Sequence, residues 1–160
     1  MEPRMTNPGI THPEAMHSLL GLAHAVAEVT HEAGLAESTV DLVHTRVSQI
    51  NGCAVCLDMH TRAGKKHGLS DQQLHTLAAW RESPYFDETQ RAALALAEAG
   101  TRIADTADPV PDEIYRAAAK HFDEPAMAAL VLHIALINLF NRVNVITGQV
   151  AGEWTAQYVG

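Results

Sequence analysis

Cysteine is scarce in this 160-residue chain. It has two, too few to staple a small secreted domain; in an intracellular chain a close pair points instead to redox or metal chemistry. Positive charge is scarce too. Eleven Lys and Arg stand against nineteen Asp and Glu, a formal charge of −8, which argues against a nucleic-acid surface and against docking on anionic membranes. No segment alternates apolar and polar residues as a half-buried strand does, and no internal repeat or low-complexity stretch is visible. There is no Gly-rich phosphate loop or dinucleotide fingerprint, so no nucleotide or flavin cofactor is expected. The first ten residues hold two prolines and no apolar run, unlike a signal peptide, which makes the cytoplasm the expected compartment. What is present is 47% apolar and 19% charged, the balance of one globular domain with a sizeable core.

The periodicities predict an all-α chain of about six to seven helices. Residues 1–11 read as an irregular lead-in, 12–148 as the helical domain and 149–160 as a tail in which Trp154 and Tyr158 could dock. Pro13 suits a first helical turn, and Leu19, Leu20, Leu22, Ala23, Val26, Ala27 and Val29 supply an apolar face. His17, His24 and His31 recur every seven residues there, as a polar edge more readily than as a metal ladder. A second helix runs over about 37–50, with Val40, Val43, Val47 and Ile50 as its buried stripe. Asp41, His44, Thr45 and Ser48 form the polar stripe beside it. Ser70 and Gln73 make a capping box, and Asp87 and Pro111 open two further helices. The segment from Ala126 to Phe140 is the most apolar. It is short for a membrane span and suits the centre of a bundle or a subunit interface. His133 within it reads as a satisfied core or interface histidine. Asn138, Asn141 and Arg142 suit a pocket lining, hydrogen bonds to helix ends or a subunit contact.

Ser48 to His60 is the stretch that carries chemistry. Asn51-Gly52 breaks the second helix, and Cys53 and Cys56 then fall in the first turn of the third. Unsatisfied N–H groups and the helix dipole favour the thiolate there. At i, i+3 the two sulfurs can close a disulfide with little backbone motion. His60, one turn on, shares their face and can take the thiol proton. Asp41 is the candidate carboxylate to orient that histidine. Zinc is a rival reading, since Cys53, Cys56 and His60 are acceptable ligands, with His44, His67 or Asp41 as a fourth. Inert packing of two small core cysteines is another.

Asp41, Cys53, Cys56 and His60, with Ser48-Gln49-Ile50-Asn51-Gly52 before the pair, together resemble the alkylhydroperoxidase AhpD core of the carboxymuconolactone decarboxylase superfamily. The likeness extends through Ala79-Trp80-Arg81-Glu82, the run from Gln90 to Leu96, and Ile137 to Arg142. It implies an all-helical homo-oligomer, a trimer or hexamer, that reduces hydroperoxides or a partner's disulfide. Electrons would come from a dithiol or lipoyl-protein donor. The resemblance makes Cys56 the residue that meets peroxide and Cys53 the one that resolves it. His60 and the acid twelve residues before Cys53 would form the proton relay. That acid is a glutamate in the family and Asp41 here, one methylene shorter. The superfamily's decarboxylases do not rely on a Cys pair, so a lyase is the lesser expectation. A redox-sensing or zinc-binding oligomer without enzymatic activity is the alternative from another class.

Overall fold

The computed structural model describes residues 2–152, and among them every regular element is helical. The order is α1 (Pro8–Thr11), α2 (Pro13–Glu32), α3 (Glu37–Asn51), α4 (Ala54–Lys66), α5 (Asp71–Thr76), α6 (Glu88–Thr101), α7 (Asp112–Ala118) and α8 (Glu124–Thr147), with a 3₁₀ turn at Leu77–Ala79. The helix beyond the expected six to seven is α1, a single turn inside the expected irregular lead-in. Asn7 caps it, its side chain accepting from Gly9 N–H. Trp154 and Tyr158 lie outside the described residues.

Local signals account for most boundaries. Ser70 and Asp87 each cap a helix reciprocally with a glutamine three residues on, Gln73 and Gln90, so two orphan donors are satisfied at each start. Asp123 caps α8 with Pro125 in its first turn. Gly52 ends α3 at φ +70°, a left-handed conformation that a side chain would strain. That turn lets the chain reverse directly into Cys53 and α4.

Packing differs from the expected arrangement in two respects, at the centre of the bundle and on α2; the central helix is α3, not α8. Nine of its fifteen residues are buried, including the polar stripe Asp41, His44, Thr45 and Ser48, and it packs against α4, α6 and α8. Val43, Val47, Ala93, Leu130 and Ile137 form the main core with both cysteines. A smaller core of Leu42, Leu69, Leu77, Trp80, Phe86 and Leu94 lies beside it. At 24 residues α8 is long and apolar enough to cross a membrane by length and composition. One face of it is nonetheless buried in the bundle, while Val131, Leu132 and Ile146 on the other are exposed. The apolar face expected of α2 is likewise mostly uncovered. Val26 and Thr30 are buried, but Leu20, Leu22 and Val29 are exposed. His17, His24 and His31 are all on the surface.

A buried ion cluster ties α3, α6 and the turn after α5 together. Glu98 accepts from Arg46 Nε at 2.6 Å, Arg81 Nη1 at 2.6 Å and Trp80 Nε1 at 3.1 Å. Burial alone would raise the Glu98 carboxyl, but the bonds from Arg81, Trp80 and Arg46 outweigh it and hold the group below the usual carboxylate range.

Candidate active site

Cys53 is the N-cap of α4, and its sulfur accepts the backbone N–H of Cys56 at 3.3 Å. The two cysteines are joined as a disulfide with Cα atoms 5.4 Å apart, within the range that such a bond spans. Both are buried, but not equivalently. Cys56 opens on a mostly apolar cavity of about 240 Å³ lined also by His44, His60, Met59, Phe140 and Asn144. Cys53 is not among the lining residues, although both cysteines pack in the main core.

The turn carrying the pair is clamped from α8. Asn51 Nδ2 donates to Asn138 Oδ1 and to Asn141 Oδ1, both at 2.9 Å, and Asn141 Nδ2 donates to Ser48 Oγ at 3.0 Å. Asn138 Nδ2 donates in turn to Thr101 Oγ1 at 3.1 Å, and Arg142 Nη1 donates to the Asn138 carbonyl at 2.9 Å. Of the readings open for Asn138, Asn141 and Arg142, these bonds match the helix-end one. The polar residues of an otherwise apolar helix hold the last turn of α3 in register, just before the cysteines.

Asp41 faces two histidines. Its Oδ2 lies 2.6 Å from His67 Nδ1, while its Oδ1 lies 3.8 Å from His60 Nδ1. The second separation is an ion-pair distance but too long for a hydrogen bond. His67 also reaches Glu37, Nε2 to Oε2 at 3.0 Å. Asp41 and His60 are therefore neighbours, as the helical spacing predicts, but the carboxylate is bonded to His67, which the sequence offers only as a possible zinc ligand.

Three further residues complete the site. Asn144 Nδ2 lies 3.4 Å from Cys56 Sγ, a polar donor aimed at the sulfur from α8. His44 packs edge-on against His60 with ring centroids 4.5 Å apart, and its Nε2 is 3.1 Å from His133 Nδ1. His133 is thus a buried histidine bonded through both nitrogens, since Nε2 meets Thr30 Oγ1 at 2.7 Å. Burial, then the neighbouring His60 and His133, keeps the His44 imidazolium well below the usual histidine range. His133 is pushed down to about 4 by burial and by His60, against a smaller opposing pull from Asp41. Both rings are neutral near pH 7. Asn144 was legible only as the third step of the Asn138, Asn141, Asn144 spacing, which puts three amides along one side of α8. Thr30 gave no signal, because a threonine late in an amphipathic helix has no distinguishing pattern.

Among the described residues, no group of three or more His, Cys, Asp and Glu side chains is placed to hold a metal ion.

Residues 13–99 match the model of the carboxymuconolactone decarboxylase family. The chain belongs to this family. It is 37% identical over 141 residues to YdfG of Bacillus subtilis (strain 168), covering 88% of this chain and 92% of YdfG. It is 36% identical over 104 residues to YnjA of Escherichia coli (strain K12), covering 64% of this chain and 55% of that one. Among solved structures, ATU0492 from Agrobacterium tumefaciens, ascribed to AhpD-type antioxidant defence, superposes with a TM-score of 0.85 at 33% identity. That match covers 94% of this chain and 98% of ATU0492. The debrominase Bmp8, in a cysteine-to-alanine form bound to 2,3,4-tribromopyrrole, shares the fold with a TM-score of 0.76 at 18% identity, over 91% of this chain and 75% of Bmp8. The bundle is thus AhpD-like, and its cysteine pair lies inside the segment that matches the family.

Proposed function

We propose that this protein is a thiol-dependent oxidoreductase that reduces hydroperoxides at Cys56 and is recycled through the Cys53–Cys56 disulfide. The observation that carries this reading is the asymmetry of the pair: Cys56 lines the cavity with His44, His60 and Asn144, and Cys53 does not. The thiolate of Cys56 attacks the peroxide oxygen and breaks the O–O bond, giving a sulfenic acid and, once protonated, an alcohol. Cys53 displaces water from the sulfenic acid to form the disulfide. A dithiol or lipoyl-protein donor then reduces the disulfide by exchange, becoming oxidised itself. His60, with Asp41 behind it, supplies the proton that the leaving alkoxide takes up.

The mostly apolar cavity wall suits a hydroperoxide with an organic substituent. The exposed apolar residues of α2 and α8 support assembly into a homotrimer or hexamer, since a monomer leaves both stripes in water.

Hydroperoxide consumption with a dithiol donor tests the reading. Wild type should turn over, Cys56→Ser should not, and Cys53→Ser should stop after one equivalent. Equal rates for wild type and Cys56→Ser would retire the mechanism. Stoichiometric oxidation without turnover would favour the redox-sensing oligomer. An activity on a small acid that survives loss of both cysteines would favour the lyase.

A further inference from the structure

Two cavities flank the site, and one hydrogen-bonded chain runs from one to the other. The first holds Cys56, His44 and His60. The second, of about 390 Å³, is open to solvent and lined by Thr30, His133, Asp41, His67 and Glu37 among others. Between them stand three buried side chains. Thr30 Oγ1 is 2.7 Å from the Val26 carbonyl oxygen and 2.7 Å from His133 Nε2, and His133 Nδ1 is 3.1 Å from His44 Nε2.

The hydroxyl of Thr30 sets the direction of every proton in the chain. When it donates to the Val26 carbonyl, its oxygen accepts from His133 Nε2–H, and His133 Nδ1 accepts from His44 Nε2–H. His44 Nδ1 is then the unprotonated nitrogen of a ring that lines the cavity of Cys56. When the hydroxyl turns toward His133 instead, each donor becomes an acceptor and His44 Nδ1 carries a proton. The two patterns hold the same number of protons, and passing from the first to the second takes one proton in at His44 Nδ1 and releases one at Thr30. Both imidazoles are neutral in each.

We propose that His44, His133 and Thr30 form a tautomer chain that stabilises the Cys56 thiolate, the thiol proton leaving through it to the solvent side of the second cavity and His44 Nδ1 being left as a donor to the sulfur. The S–H proton passes to His44 Nδ1, the His44 Nε2 proton to His133 Nδ1, the His133 Nε2 proton to Thr30, and the Thr30 proton to solvent. No electrons move, and the net change is a thiol becoming a thiolate with one proton released. His44 Nδ1, an acceptor for the thiol, ends as a donor to the thiolate. Neutral transfer matters here because a buried imidazolium is costly. His44 and His133 face each other and His60 of α4, while the carboxylate of Asp41 on α3 offsets that pressure only for His133. A tautomer shift moves the proton without either ring holding a charge. Return of the proton along the same path resets the chain.

The chain matters only if Cys56 reacts as a thiol, which is the reading proposed above; its test, however, needs no peroxide. In reduced full-length protein carrying Cys53→Ser, the rate of Cys56 alkylation by iodoacetamide is followed against pH. His133→Gln keeps a hydrogen-bonding partner for His44 but has no proton to pass on, and Thr30→Val keeps the shape and removes the hydroxyl. Each should raise the pH midpoint by about one unit, which slows alkylation at pH 7 about tenfold. A merely structural role would lower thermal stability and leave the midpoint in place. Should His133→Gln fail to fold, Thr30→Val decides alone. Unchanged midpoints in the folded variants overturn the chain. A shifted midpoint in a protein that consumes no hydroperoxide upholds the chain and removes the peroxidase reading instead.

Discussion

Asp41 is hydrogen-bonded to His67 at 2.6 Å and stands 3.8 Å from His60. The carboxylate is therefore anchored by the end of α4 and only approaches the histidine nearest the cysteines. Both contacts come from the same short side chain, and its length decides how they are shared. Asp41→Asn should slow hydroperoxide-driven oxidation of the reduced pair about 10- to 100-fold, the usual size of a general-base effect. Asp41→Glu adds the methylene that would bring the acid within reach of His60, and should match or exceed wild type. Stopped-flow measurement of both variants checks this; an Asp41→Asn rate equal to wild type removes Asp41 from the relay.

Asn144 offers the sulfur of Cys56 an amide donor at 3.4 Å. Asn144→Leu keeps the volume and deletes the donor. Alkylation of reduced Cys56 near pH 7 should fall roughly 3- to 10-fold, as expected for one hydrogen bond of about 1 kcal/mol to a charged group. Thermal unfolding of the same variant should stay within a few degrees of wild type.

Glu98 links Arg46, Arg81 and Trp80, none of which lines the cavity of Cys56. Glu98→Gln leaves two arginines without their carboxylate and should cost about 2–4 kcal/mol in urea unfolding, while thiol alkylation of the folded protein is unchanged. Because the native carboxyl is held below its ordinary range, its stabilisation is complete above the unfolded value near 4.5. It is lost as pH falls through the lower native value.

The neutral histidines give a second acid-side effect with its own window. His133 titrates at about 4 in the folded protein against 6.5 when unfolded, and His44 is displaced in the same direction. Between those values the unfolded chain binds more protons, so stability rises with pH. The melting temperature should therefore fall as pH is lowered from about 6.5 toward 4. Calorimetry across that range should show a shallower slope for His133→Gln than for wild type; identical slopes would refute the assignment.

The sequence by itself determined the helical class, the capping boxes at Ser70 and Asp87, the break at Gly52 and the cysteine turn. Each is local, set by neighbours within about four residues, where spacing and propensity act directly. It also carried the likeness that the family match and ATU0492 bear out. Tertiary structure decided what spacing cannot carry. It chose which of two adjacent cysteines faces a cavity, which histidine Asp41 bonds, and that α3 rather than the more apolar α8 lies at the centre. It also brought Thr30, His44 and His133, from three different helices, into one line. Such contacts join residues tens of positions apart, 103 for Thr30 and His133. They arise from how helix faces pack, which no single segment encodes.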